Sequence, residues 1–174
     1  IAAGVKTELI EKLLTKSPRV LRVMPNVNAL VGEGATAVAR GRFAQEEDAR
    51  YALAIFNAVG LAVEVEEKLM DAVTGLSGSG PAYCFMMIEA LTDAGVQLGL
   101  ARGLAETLAA QTMLGAAKVL LETGQDPAAF IQAVASPQGT TAAGLAVLEK
   151  SALRGILART VRAAARRSAA LSRA

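Results

Sequence analysis

Two short strings concentrate glycine, serine, threonine and proline in an otherwise regular chain: TGLSGSGP at Thr74–Pro81 and SPQGTT at Ser136–Thr141. The second runs into an apolar-periodic segment, predicted to be a helix over Thr141–Glu149. A helix N-terminus carries unpaired N–H groups and the positive end of the dipole, so it is suited to a carboxylate or a phosphate. Pro137 stiffens the entry, Gly139 permits close approach, and Thr140 or Thr141 caps the helix. A cap needs one threonine, and two follow Pro-x-Gly here. The first string has glycines fit for close backbone approach, but a G-x-G-x-x-G phosphate turn would require glycine at position 83, where the chain has Tyr83. No strand precedes it either. It reads as an inter-helix loop.

Other chemistries are excluded by what the chain lacks. There is no histidine among the 174 residues. Imidazole acid–base catalysis, Ser–His and Cys–His pairs and His-ligated metals are therefore ruled out, and no metal site is expected. Cys84 stands alone, so no intramolecular disulfide forms, as suits the reducing cytoplasm. Apolar residues make up 53% of the chain and aromatics 3%, while about one residue in five is alanine. Such a chain is too apolar to be disordered and too poor in aromatic residues for a β-sandwich. Closely packed helices fit best. No apolar run is long enough to span a membrane, and the start has no signal-peptide pattern. Seven of the 18 basic residues lie from Lys150 onward, with no acidic residue among them. Leu153, Ile156, Leu157, Val161 and Ala164 recur there at helical spacing. This tail is read as an amphipathic helix with a solvated or partner-facing basic side, and no nucleic-acid or membrane partner is expected.

The elements that must position the two strings fall into two groups. Residues 1–66 alternate helix and strand. A helix is predicted over Thr7–Leu14, β-like segments over Arg19–Pro25 and Gly34–Arg40, a helix over Ala44–Ala58 with Gly60 as its C′ stop, and a strand over Leu61–Glu66. This is the back half of a doubly wound, Rossmann-like α/β domain, with too few strands for a whole one. Residues 67–174 are helical: Lys68–Val73, Pro81–Leu98, Arg102–Thr123, Pro127–Ala135, Thr141–Glu149 and Leu153–Leu171. In Arg102–Thr123, Leu104, Leu108, Met113, Leu114, Val119 and Leu121 are expected to be buried. The apolar stripes are wide for so small a chain, which points to packing against a second copy.

Taken together the strings identify a family. IAAGV (Ile1–Val5), LRVMPN (Leu21–Asn26), VGEGAT (Val31–Thr36), DAVTGLSGSGPAY (Asp71–Tyr83), LAAQTMLGAAK (Leu108–Lys118) and ASPQGTTAAGLAVLE (Ala135–Glu149) closely resemble pyrroline-5-carboxylate reductase, in that family's order and spacing. The resemblance implies a Rossmann domain followed by a helical dimerisation domain, in homodimers that assemble further into rings. It also implies reduction of L-1-pyrroline-5-carboxylate to L-proline by NADPH or NADH. It places the substrate carboxylate on N–H groups of Gly139, Thr140 and Thr141 beside Ser136, and the Thr141 hydroxyl near the ring nitrogen as the catalytic group. Ala2, Ala3, Met24 and Asn26 would lie beside the nicotinamide, and Thr74–Pro81 would approach the active site across the dimer.

Gln138 and Ala101 depart from the family's usual SPGG and GLPR strings. The given sequence opens past the family's first strand and phosphate turn, so a protein that truly began at Ile1 would be expected to bind cofactor weakly and to show little activity. A non-catalytic helical dimerisation fragment is the alternative. A helical domain from a dehydrogenase of β-hydroxy acids is a further one, but it would use a lysine or histidine at the reacting carbon, and Gln111–Lys118 offers only Lys118.

Overall fold

The computed structural model describes residues 4–14 and 16–172. Ala2 and Ala3, expected beside the cofactor, lie outside the described residues. The chain divides into two compact units, Ile1–Ala82 with Leu157–Ala174, and Tyr83–Ile156.

In the first unit a helix, α1 (Thr7–Leu13), precedes a three-stranded sheet in the order β1 (Leu21–Met24), β2 (Gly34–Arg40), β3 (Gly60–Glu64). β1 runs antiparallel to β2 with Val23 opposite Val38, and β3 runs parallel to β2 with Thr36 opposite Ala62. Parallel neighbours need a crossover, and α2 (Glu46–Asn57) provides it. Its first turn holds Glu46, Glu47 and Asp48, where the dipole favours negative charge. The Asp48 carboxylate also accepts the Gln45 N–H at 2.8 Å. Ala49 and Ala52 are buried on α2. Central β2 is covered on both faces, so Thr36, Ala37, Val38 and Ala39 are all buried. On one face Ala37 and Ala39 pack with fully buried Met70, surrounded by Met24, Val65 and Val73.

One local expectation is corrected: Gly60 is not a helix stop. α2 ends at Asn57 with Ala58 as its C-cap, and Gly60 opens β3 with φ of +145°, where a Cβ would collide with the Gly34 backbone. The connector between β1 and β2 contains a 3-10 turn, Val27–Val31.

The larger correction concerns Thr74–Pro81, which is helical. A 3-10 turn, Glu67–Leu69, leads into α3 (Met70–Val73), a π turn over Thr74–Gly78, and α4 (Gly80–Gln97). The Ser79 N–H donates to the Thr74 carbonyl, five residues back, at 2.8 Å. The Thr74 and Ser77 hydroxyls donate to the Met70 and Val73 carbonyls at 2.8 and 3.2 Å, a back-bonding that bends helices. Glycine is required at Gly75, because a Cβ there would come within 2.6 Å of the Val161 carbonyl and 2.9 Å of the Ala165 nitrogen. Both atoms belong to α8 (Leu153–Leu171), whose residues from Leu157 onward are part of this unit. Leu153, Leu157, Val161 and Ala164 are half-buried on α8, while Ile156 and the arginines 159, 162, 166 and 167 are exposed.

The second unit is helical throughout: most of α4, then α5 (Arg102–Thr123), α6 (Pro127–Val134), α7 (Thr140–Lys150) and the start of α8. Asp126 caps α6, accepting the Ala128 N–H at 3.0 Å, with Pro127 at the first helical position. Among the described residues these helices touch one another only briefly, with Gly95 beside Ala105 and Arg102 paired with Asp93 at 2.6 Å. The unit buries only Thr92, Ala105 and Ala109. The expected core of α5 is therefore not covered within the chain. Leu104, Leu108, Leu114, Val119 and Leu121 are 41–78% exposed, and Met113 is half-buried. A helix that is apolar on most of its circumference needs neighbours on most sides, and here one side is met.

Candidate functional site

The expected substrate residues sit together at the start of α7, in the second unit. Two details differ from expectation. The N-cap is Gly139, in extended conformation, so Thr140 and Thr141 are the first two residues of the helix and neither caps it. The Gly139 N–H is already used, donating to the Ser136 carbonyl at 3.0 Å, so it drops out of the expected set of anion donors. The first helical N–H groups lack intrahelical acceptors by geometry, and among the described residues those of Thr140 and Thr141 bond to no backbone carbonyl. Both threonines and Ser136 are exposed, and the Ser136 hydroxyl lies against the Gly139 α-carbon. Gln138 takes a left-handed φ of 60°, the conformation in which glycine is at ease. What results is a helix mouth with two outward N–H donors and adjacent hydroxyls, able to hold an anion.

Met24 and Asn26 belong to the other unit, at the end of β1. Met24 is half-buried, with its methyl against Gly78 of the π turn. The Asn26 side chain is engaged at both ends: its amide N–H donates to the Ser77 carbonyl at 3.1 Å, and its carbonyl accepts the Ala35 N–H at 3.2 Å. Of the described residues expected beside a nicotinamide, then, Met24 packs against the π turn and the Asn26 side chain bonds to Ser77 and Ala35.

A polar cluster in the same unit escaped the sequence reading. Arg22, its side chain 9% exposed, places Nη1 at 3.3 Å from Glu67 and Nη2 at 3.8 Å from Asp71. Glu67 also accepts the Thr7 N–H at 3.1 Å and the Thr7 hydroxyl at 2.6 Å, and Asp71 accepts the Ser168 hydroxyl at 2.7 Å. The acids at 67 and 71 have i,i+4 spacing, which puts them on one helix face, but nothing local names their partners. Two exposed ion pairs shift their own ionisation. A hydrogen bond from Lys12 lowers the Glu8 pKa, and one to Glu149 raises that of Arg154. No group of three His, Cys, Asp or Glu side chains able to hold a metal occurs among the described residues. Among them, too, no helix is long and apolar enough to cross a membrane.

The fold defines the class: the C-terminal part of a Rossmann-like α/β domain, continued into a helical domain. Residues 67–171 match the family described as pyrroline-5-carboxylate reductase dimerisation. The chain is 51% identical over 173 residues to a pyrroline-5-carboxylate reductase of Methanosarcina acetivorans, covering 99% of this chain and 64% of that one. It is 49% identical over 172 residues to one of Arabidopsis thaliana, covering 99% and 62%. Among solved structures, a pyrroline-5-carboxylate reductase from Coxiella burnetii superposes with a TM-score of 0.95 at 43% identity, over 99% of this chain and 64% of the other. A pyrroline carboxylate reductase of Plasmodium falciparum with NADP bound gives 0.90 at 35% identity, over 98% and 68%. This chain belongs to the pyrroline-5-carboxylate reductase family. It spans less than two thirds of the length of the Methanosarcina and Arabidopsis relatives.

Proposed function

We propose that the chain forms part of an oxidoreductase that reduces L-1-pyrroline-5-carboxylate to L-proline, the last step of proline biosynthesis. Residues 1–66 would contribute to dinucleotide binding, and residues 67–174 to substrate binding and dimerisation. The observation that carries this reading is the helix mouth at Gly139–Thr141, whose outward N–H groups suit the substrate carboxylate. Thr140 and Thr141 would hold that carboxylate and Ser136 would flank it, while Gly139 shapes the turn without donating. NADPH or NADH, when bound, supplies the hydride; the Plasmodium relative with NADP supports this assignment. By family likeness the Thr141 hydroxyl would lie near the ring nitrogen. As a poor acid it serves best as a hydrogen-bond partner for an already protonated imine, or as a relay from water.

The uncovered apolar face of α5 supports a homodimer through the second unit, consistent with the family's dimerisation segment at 67–171. Rings of dimers would be a further stage of assembly. The lone Cys84 supports a reducing, cytoplasmic setting. The test is steady-state reduction of pyrroline-5-carboxylate by the unmutated protein and by Thr141→Val, which keeps the shape and removes the hydroxyl. A fall in kcat of about 10²-fold is expected. An unchanged kcat/KM would refute the assignment.

A further inference from the structure

The Ser77 carbonyl has a gap in its hydrogen bonding that the sequence itself creates. In a continuing α-helix it would accept from the N–H of residue 81, but that residue is Pro81, which has no N–H. The next N–H, that of Ala82, turns to the Ser79 carbonyl at 3.2 Å. Among the described residues the donor to the Ser77 carbonyl is the Asn26 amide at 3.1 Å, from 51 residues away. The other end of the same amide accepts the Ala35 N–H at 3.2 Å, at the start of β2. Asn26 therefore joins three segments: the end of β1, the start of β2 and the π turn.

We infer that Asn26 is a positioning residue, replacing the donor that Pro81 lacks and so holding the π turn Thr74–Gly78 in its widened form. π turns are uncommon and cluster at functional sites, because widening shifts the register of the next helical residues. Here the turn carries Gly75 against α8 and Gly78 against Met24, so its form also sets where Met24 lies. Asn26 then acts through the turn, its side chain held by Ser77 and Ala35. The link to catalysis rests on the reductase reading, whereas the link to the turn does not.

The two are separated by one set of proteins: unmutated, Asn26→Asp, Pro81→Ala, and the double variant. Aspartate still accepts the Ala35 N–H but sets a carboxylate against the Ser77 carbonyl. In Asn26→Asp, amide exchange at Ser79 and its neighbours is expected to rise about ten-fold, while β2 and β3 amides change less than about two-fold. Pro81→Ala restores a backbone donor to Ser77, so the double variant is expected to return to within about three-fold of the unmutated rate. In the reductase assay, kcat is expected to follow the same fall and rescue. Unchanged exchange at Ser79, a uniform rise across sheet and turn, or failure of Pro81→Ala to rescue would each overturn the inference. With these substitutions carried in the whole protein of which the chain forms part, absence of reductase activity from every protein, the unmutated one included, would refute the proposed function and leave the exchange result to decide the role of Asn26.

Discussion

Replacing Arg22 with methionine tests whether the polar cluster holds the first unit together. Methionine keeps most of the stem's apolar bulk and removes the guanidinium, stranding Glu67 and Asp71, whose side chains are 24% and 26% exposed. At 3.3 Å and an effective dielectric constant near 20, the gross Arg22–Glu67 attraction is about 5 kcal/mol, most of it offset by the cost of taking the guanidinium out of water. Removing one partner of a fully buried pair costs about 3–5 kcal/mol, and partial exposure of the carboxylates lowers that to about 2–3 kcal/mol. In a chain of this size the melting temperature would fall by about 5–10 °C. Urea unfolding followed by circular dichroism at pH 7 measures it, and because the guanidinium is buried the loss should persist in high salt. Glu67→Gln neutralises one stranded charge and keeps a carbonyl acceptor for Thr7, so the double variant should regain about 1 kcal/mol over Arg22→Met. If the two changes add to within about 0.4 kcal/mol, the charges are not coupled and the reasoning fails.

Gly75→Ala should cost about 2–4 kcal/mol, because its methyl would meet two backbone atoms of α8 that cannot move independently; chemical denaturation measures this. At Gln138 a left-handed φ of 60° predicts opposite outcomes for two substitutions: Gln138→Gly should be neutral or stabilising by up to about 1 kcal/mol, and Gln138→Val destabilising by more than about 1 kcal/mol. Leu108→Asp on the exposed face of α5 should shift the protein from dimer to monomer in size-exclusion chromatography, at a position where a stable monomer would tolerate the change.

Most of the fold is legible in local pattern. The helix Arg102–Thr123 has the predicted bounds because an alanine-rich periodic run ends at Gly124, which takes a left-handed φ of 64°. β2 is legible as Gly34–Arg40 from its small and β-branched residues. Errors arise where a local signal serves a different neighbour. Gly60 resembles a helix stop, yet its positive φ lets β3 start against Gly34. TGLSGSGP has loop composition, but its hydroxyls bond back to carbonyls four residues earlier and its glycines admit α8 and Met24. The leucines of α5 are recognisable as a face to be covered, and in the single chain they are exposed, because periodicity reports that a face will be covered and not by which chain.

The candidate site shows the same division. A helix mouth can be read from Pro-x-Gly-Thr-Thr, since capping and the dipole are local effects, but which N–H groups remain outward depends on a turn that the string does not specify. The Gly139 N–H is lost to Ser136, and the cap moves back one residue to Gly139. Asn26 can be singled out by family likeness, but its partner cannot, because Ser77 lies 51 residues away and donates nothing to the pattern. Its need for a partner is nonetheless written in the chain at Pro81. A proline four residues after a carbonyl inside a helix leaves that carbonyl to be satisfied from elsewhere, and a buried amide that reaches it gains most where no backbone donor competes.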